Sequence, residues 1–242
     1  MKFARFEKTK AMIRLVLIVA VLISIQHYSV AQDLMAIDNY MDKLRIENVI
    51  NRPNQLSYSD IAGTPYYDDT FRKGILFLKS GRRLSGEFRY DIYADMIEFR
   101  KGENIFTLGI PDSIAKIEVE NAVYSYQPYY INSDIHKSYF ITIEDGYYTL
   151  LEKTTRLFRK AEPPGPYQDA PKPARFEDGG TELYLMKGDE PAVRVANIRD
   201  IISVCGEDGS LASEYIDTNK IRFRNTEGLR SLVNHLNNSI KR

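Results

Sequence analysis

The sequence predicts a mainly β protein of the α+β class: an antiparallel β meander, roll or sandwich with C-terminal helices packed on it, preceded by a signal peptide. From Gly74 onward, apolar and polar residues alternate with a period of two, which is typical of strands. Turn residues recur about every ten positions, most clearly at Asp145-Gly146, which favours hairpins between neighbouring strands. The C-terminal residues instead follow a helical period, and their apolar stripe consists of Leu229, Leu232, Val233, Leu236 and Ile240.

These patterns divide the chain into five segments. They are a signal peptide (1–31), an N-terminal helical and extended segment (32–73), an antiparallel β body (74–160), a proline-rich excursion or linker (161–176), and a β-hairpin with C-terminal helices (177–242). Five of the ten prolines fall within 163–173, so this stretch cannot be a central strand. Because strands are again expected after it, we expect a surface excursion of one domain; a linker between two domains is the alternative.

The first segment has the order of a secretory signal peptide. A basic start at 2–14 precedes the apolar run 15–25, and Ser29 and Ala31 occupy the small-residue positions of a cleavage site. The apolar run would extend only about 16 Å as a helix, against a hydrocarbon core of about 30 Å, which argues against an uncleaved anchor. We therefore expect cleavage after Ala31, export to the periplasm, and no transmembrane segment in the mature chain.

Each later element has its own local signal. Apolar spacing at 34–50 predicts a helix that ends before Pro53. Asn197, Ser210 and Thr226 are expected to begin the three C-terminal helices. The first hairpin is expected to turn at Ser80-Gly81, and further strands are expected at 96–100, 104–108, 114–119, 122–127, 138–144, 147–152, 181–187 and 192–195.

Charge and composition narrow the function classes. The chain has 33 basic and 33 acidic side chains, and removal of residues 1–31 leaves 28 basic and 32 acidic. This mildly acidic balance argues against a nucleic-acid groove, which needs a concentrated basic face. The single cysteine, Cys205, lies in an apolar run and is expected to be a buried thiol. Without a glycine-rich phosphate loop or a zinc signature, we expect no cofactor and no metal.

Four stretches in this order resemble a type of uncharacterised exported protein common in Bacteroidota: "GTPYYDDTF" (63–71), "FRYDIYADMIEF" (88–99), "PYQDAPKPARF" (166–176) and "LYLMKGDEPAVRVANIRDIISV" (183–204). The resemblance covers about residues 60–235. It implies the envelope of a diderm bacterium and a β-rich body with terminal helices, but no activity. It also implies a candidate O-glycosylation site at Ser113, because Asp112-Ser113-Ile114 matches the short acceptor pattern of that group.

The stretch 88–99 contains the acids Asp91, Asp95 and Glu98. Its apolar alternation requires an even-numbered loop, which we expect to place Asp91 opposite Glu98 with β-carbons about 5 Å apart. Paired carboxylates near this separation serve retaining glycosidases. However, the same register places Arg89 opposite Arg100, and alternating charges are typical of a solvated sheet face. On this second interpretation, neutralising both acids costs at most about 1 kcal/mol.

Tyrosine is abundant, with 17 residues, whereas tryptophan is absent. An aromatic binding face for a glycan or a partner protein is one interpretation, and its candidate residues are Tyr124, Tyr126, Tyr129 and Tyr147. The alternative is that these residues reflect β propensity and edge packing.

The sequence thus leads to two hypotheses of function. The first is an exported, non-enzymatic envelope protein that binds or scaffolds an unknown envelope protein or glycan. The alternative is a hydrolase of an envelope polymer that uses Asp91 and Glu98 as paired carboxylates.

Overall fold

A computed structural model describes residues 58–109, 111–164 and 171–240, all within one compact unit, Glu47–Arg242. The predicted signal peptide and the predicted helix at 34–50 lie outside the described residues. No helix in these three described ranges has both the length and the apolar character needed to cross a membrane.

The described chain contains ten strands followed by three α-helices. The strands are β1 (Arg72–Leu78), β2 (Arg83–Asp91), β3 (Met96–Lys101), β4 (Asn104–Thr107), β5 (Ile114–Val119), β6 (Ala122–Ile131), β7 (Asp134–Glu144), β8 (Tyr148–Arg159), β9 (Arg175–Lys187) and β10 (Val193–Val195). The helices are α1 (Ile198–Cys205), α2 (Gly209–Asn219) and α3 (Thr226–Ser239). The predicted class, mainly β with C-terminal helices, is confirmed.

All ten strands form one sheet in the order β10-β9-β8-β7-β6-β5-β1-β2-β3-β4, and each neighbouring pair is antiparallel. Two meanders, β1 to β4 and β5 to β10, are joined because β5 pairs with β1. Leu76 and Ile117 are partners at this junction, and both are completely buried. The proline-rich stretch connects β8 to β9, which pair along their length, so the sheet continues across it.

Strands β6 to β10 close on themselves. Ala192, just before β10, returns to β6: its N–H donates to the Pro128 carbonyl at 2.8 Å, and its carbonyl accepts from the Tyr130 N–H at 3.0 Å. The inner face of this arrangement, here called the closed curl, has its own buried cluster of Tyr129, Phe140, Leu151, Tyr184 and Ala192. The closed curl therefore has a core separate from the one under the helices.

The helices cover the opposite face of β8 and β9. Their apolar stripe is buried against Tyr148, Leu150 and Leu185, and the predicted stripe at Leu229, Leu232, Val233 and Leu236 is confirmed with exposures of 0–1%. Truncating one of these leucines to alanine costs about 2–5 kcal/mol in such a core. Both faces of β8 are covered, and its residues from Tyr148 to Leu151 are therefore all buried. This explains why buried and exposed residues do not alternate there.

Capping side chains define two of the helix starts. Asn197 caps α1 as predicted, because its side chain accepts from the Arg199 and Asp200 N–H groups. Helix α3 begins at Thr226, as predicted, and Asn225 caps it by accepting from the Gly228 N–H. The start predicted at Ser210 is wrong, because helix α2 already begins at Gly209.

The sheet is split between β7 and β8. These two strands pair only between residues 141–144 and 150–152. Beyond this point β7 pairs only with β6, and β8 pairs only with β9. The β2–β3 turn, residues 92–95, is inserted at the split. Asp95 accepts from the Tyr139 N–H at 3.2 Å and from the Ser138 hydroxyl at 2.6 Å. Its carboxylate thus satisfies a backbone donor that has no strand partner there.

Candidate functional site

The register of β2 and β3 differs by two residues from the prediction. Tyr90 pairs with Ile97, and Arg89 pairs with Glu98, so Asp91 lies opposite Met96 and not opposite Glu98. The predicted even-numbered loop is correct, because it comprises residues 92–95. Apolar alternation alone cannot separate registers that differ by two, since both keep the same residues on the same face.

Arg89 and Glu98 form a buried ion pair rather than part of a solvated face. The Arg89 Nη2 and Nε atoms donate to Glu98 Oε2 at 2.6 and 3.1 Å. The side chains are only 13% and 2% exposed. The guanidinium lies over the Tyr66 ring at 3.6 Å and over the Phe71 ring at 4.3 Å. This ion pair therefore attaches segment 66–71 to the sheet by charge and by cation–π contact.

Asp91 is also buried and engaged, at 3% exposure. Its Oδ2 accepts from the Tyr58 hydroxyl at 2.9 Å, and its Oδ1 accepts from the Ala94 N–H at 2.9 Å. Burial raises the pKa of the Asp91 carboxyl group to about 6, although these two hydrogen bonds favour its ionised form. Burial also raises the pKa of Tyr58 far above its ordinary value, and the neighbouring Asp91 charge adds to the shift.

The prediction of a solvated face is therefore wrong for both Asp91 and Glu98. The predicted cost of neutralising them, at most about 1 kcal/mol, assumed exposed side chains and does not apply to buried ones. Their contacts also disfavour the hydrolase hypothesis. Each carboxylate is occupied within the fold, and the cavity beside Arg89 has a volume of only about 20 Å³, enough for about one water molecule.

The predicted tyrosine face is not assembled. Tyr124 and Tyr129 are 6% and 8% exposed, and they lie on opposite faces of β6 because their positions differ by an odd number. Tyr126 is half-buried against Tyr139, with ring centroids 5.0 Å apart, and Tyr147 packs at the helix-covered core. The four tyrosines do not form one exposed face because both faces of the sheet bury tyrosines.

Ser113 lies in a short 3₁₀ turn, Pro111–Ser113, before β5, and is half-buried. Its carbonyl accepts from the Lys79 N–H at 3.0 Å. The neighbouring Asp112 pairs with Lys137 at 2.5 Å on the surface. O-glycosylation of Ser113 stays a prediction.

A cleft of about 480 Å³ opens where the closed curl meets the split between β7 and β8. Tyr129 from β6 and Tyr184 from β9 contribute to its walls, with their rings in edge-to-face contact at 5.5 Å. Lys153 from β8 lines the interior, and Arg194 from β10 pairs there with Glu182 at 2.6 Å. The volume is within the range of small-molecule binding sites.

Lys153 is the most unusual residue of this cleft. Its side chain is 14% exposed, and its Nζ lies 5.4 Å from the centre of the Phe140 ring and 5.6 Å from that of Tyr129. Nζ donates to the Ser138 hydroxyl, which in turn donates to Asp95. Burial lowers the pKa of Lys153, although the Asp95 and Glu182 charges oppose this shift.

This chain of Lys153, Ser138 and Asp95 does not form a usable nucleophile. Ser138 is 1% exposed, and its hydroxyl is occupied by Lys153 on one side and by Asp95 on the other. A substrate therefore cannot approach the hydroxyl oxygen. The arrangement instead holds Lys153 in place in the cleft lining, with its amino group bonded to Ser138.

The rim of the cleft carries exposed apolar side chains. Tyr130 is 38% exposed, Ile131 is 43% exposed and Val193 is 36% exposed, and all three line the opening. Ile135, on the strand paired to Tyr130, is 59% exposed beside them. Contiguous apolar residues around a concave site are typical of a binding surface.

Sequence reasoning included Tyr129 but missed Lys153, Tyr184 and Arg194. A signal was present for Lys153, because it lies two positions after Leu151 and therefore shares its inward face. A lysine on the buried side of a strand is unusual and marks a special site. Nothing in the sequence indicated that β10 would return to β6 and bring Arg194 to the same cleft.

No three His, Cys, Asp or Glu side chains within 58–109, 111–164 and 171–240 are grouped so that they could hold a metal ion. The chain matches no protein-family model, and it has no significant match among curated proteins or solved structures. The fold and the site thus define a β-rich protein with a helix-covered sheet and an amphipathic cleft at the closed curl.

Proposed function

We propose that this protein is an exported, non-enzymatic protein of the bacterial envelope that binds a partner through the cleft at the closed curl. The observation that carries the proposal is the combination of a concave, aromatic interior with an apolar rim of Tyr130, Ile131 and Val193. Export and a periplasmic location rest on the signal-peptide pattern of residues 1–31.

A binding role agrees better with the described side chains than the hydrolase alternative does. The acids proposed for hydrolysis, Asp91 and Glu98, are occupied by Tyr58 and Arg89, respectively. The cleft contains one carboxylate, Glu182, which accepts from both Arg194 and Tyr184. Acid–base hydrolysis by a carboxylate pair would require a second, unoccupied carboxylate at the same cleft.

Capture of partners from the native envelope extract tests this proposal. Ile131→Asp places a charge on the apolar rim. Ile75→Asp makes the same change at a strand position of similar exposure on β1, 37% against 43%, outside the cleft. We expect the Ile131 variant to lose partners that the wild type and the Ile75 variant both retain, with all three proteins melting at similar temperatures. Equal capture by all three would exclude the rim as the binding surface.

A further inference from the structure

Two hydrogen-bond donors of the cleft, the Lys153 amino group and the Tyr129 hydroxyl, are not fully paired among the described residues. Lys153 has three N–H groups, and among the described residues only the Ser138 hydroxyl accepts one of them, because Asp95 is 3.9 Å away. The Tyr129 hydroxyl has no hydrogen-bond partner in the part of the chain that the structure describes, although the residue is 8% exposed. Donors in a recessed site such as this are stabilised when a ligand supplies acceptor oxygens.

Arg194 contributes further N–H donors to the cleft. Its Nε donates to Glu182 at 2.6 Å, and its guanidinium makes no other hydrogen bond or ion pair among the described residues. Of the charged side chains that line the cleft, Lys153 and Arg194 are basic and only Glu182 is acidic. The lining itself therefore has one positive charge in excess and complements an anion, although Asp95, outside the lining, lies 3.9 Å from the Lys153 amino group and offsets part of this charge.

The apolar rim requires a second property of the ligand. An anion without an apolar part would leave Tyr130, Ile131 and Val193 exposed to water. A peptide segment would bring backbone N–H groups that need acceptors, whereas the only carboxylate of the lining is already occupied. A small ligand with an anionic head and an apolar tail satisfies both the donors and the rim.

We infer that the cleft binds a small amphiphilic carboxylate, with its head at Lys153 and the Tyr129 hydroxyl and its tail along the apolar rim. This inference rests on the proposed function, because it names the ligand of the same cleft. It requires no covalent step.

Titration calorimetry with three probes tests the inference on the full mature protein. Decanoate has both head and tail, decanol has the tail alone, and acetate has the head alone. We expect decanoate to bind at least about tenfold more tightly than either of the other probes, as a charge-assisted hydrogen bond implies. Equal binding of decanol and decanoate would overturn the inference, because the head would not be recognised.

Three variants locate the binding. Lys153→Met should weaken decanoate binding at least about tenfold and leave decanol binding unchanged. Lys116→Met removes an exposed lysine on β5, outside the cleft, and should change neither. Because Lys153→Met can also disturb the contact with Asp95, Tyr129→Phe serves as a second variant that removes only a hydroxyl and should weaken decanoate binding several-fold. Unchanged decanoate affinity in both cleft variants would overturn the assignment.

The two proposals fail in distinguishable ways. If Ile131→Asp abolishes partner capture but decanoate does not bind the wild type, the partner-binding function stands and the ligand class is wrong. Preferential binding of a peptide with a free C-terminal carboxylate, with no binding of decanoate, would likewise reject the ligand class. If neither partner capture nor decanoate binding depends on the cleft, both proposals are wrong.

Discussion

Replacing Glu98 by glutamine removes the negative charge that lies 2.6 Å from the Arg89 guanidinium, with little change in side-chain shape. At an effective dielectric constant of about 20, the attraction over this distance is about 6 kcal/mol before desolvation is considered. Removal of one partner from a buried ion pair lowers the free energy of unfolding by about 3–5 kcal/mol, because the other charge stays buried and unpaired. We expect a loss in this range for Glu98→Gln.

The chain contains a matched control on the same two strands. Glu87 and Arg100 form an ion pair of nearly the same length, 2.7 Å, but their side chains are 36% and 42% exposed. Glu87→Gln should therefore lower the free energy of unfolding by at most about 1 kcal/mol. Urea denaturation gives both values, and thermal melting should show a decrease of about 6–20 °C for Glu98→Gln. If Glu98→Gln is as mild as Glu87→Gln, burial does not control the strength of these pairs.

Four further outcomes are expected. The pKa of Asp91 in the folded protein, about 6, lies above its ordinary value of 3.8, so its protonated form contributes stability below about pH 4 that is lost as the pH rises through 6. Relative to Asp91→Asn, the wild type should lose up to about 3 kcal/mol between pH 4 and pH 8 in urea titrations, and a constant difference would contradict the assigned pKa. Cys205 is completely buried, and burial raises the pKa of its thiol to about 11. Thiol reagents should therefore label it only after denaturation, and rapid labelling of the native protein would contradict this expectation. Amino-terminal sequencing of exported protein should begin at Gln32, unlike a membrane-retained chain that keeps residues 1–31. Glycopeptide mass spectrometry of native material should show a modified Ser113, and finding only bare peptide would reject that site.

Much of the secondary structure followed from the sequence because strands and helices have different periods. The alternation after Gly74 predicted the strands, and the stripe from Leu229 to Leu236 predicted the buried face of α3. These are local properties of the chain, since a side chain's position on a strand or helix follows from its spacing to its neighbours. The even-numbered loop between β2 and β3 could be predicted for the same reason.

Only the tertiary structure decided which of these residues became part of a site. Local alternation treats Asp91 and Glu98 as solvated, but segment 58–71 covers this part of the sheet. Tyr58 donates to Asp91, while Tyr66 and Phe71 pack on Arg89, which is the partner of Glu98. In the same way, the cleft exists because β10 returns to β6 and because the Asp95 turn is inserted between β7 and β8. Both contacts join residues more than 40 positions apart. Such contacts depend on how the whole sheet curves, and no short stretch of sequence encodes that curvature.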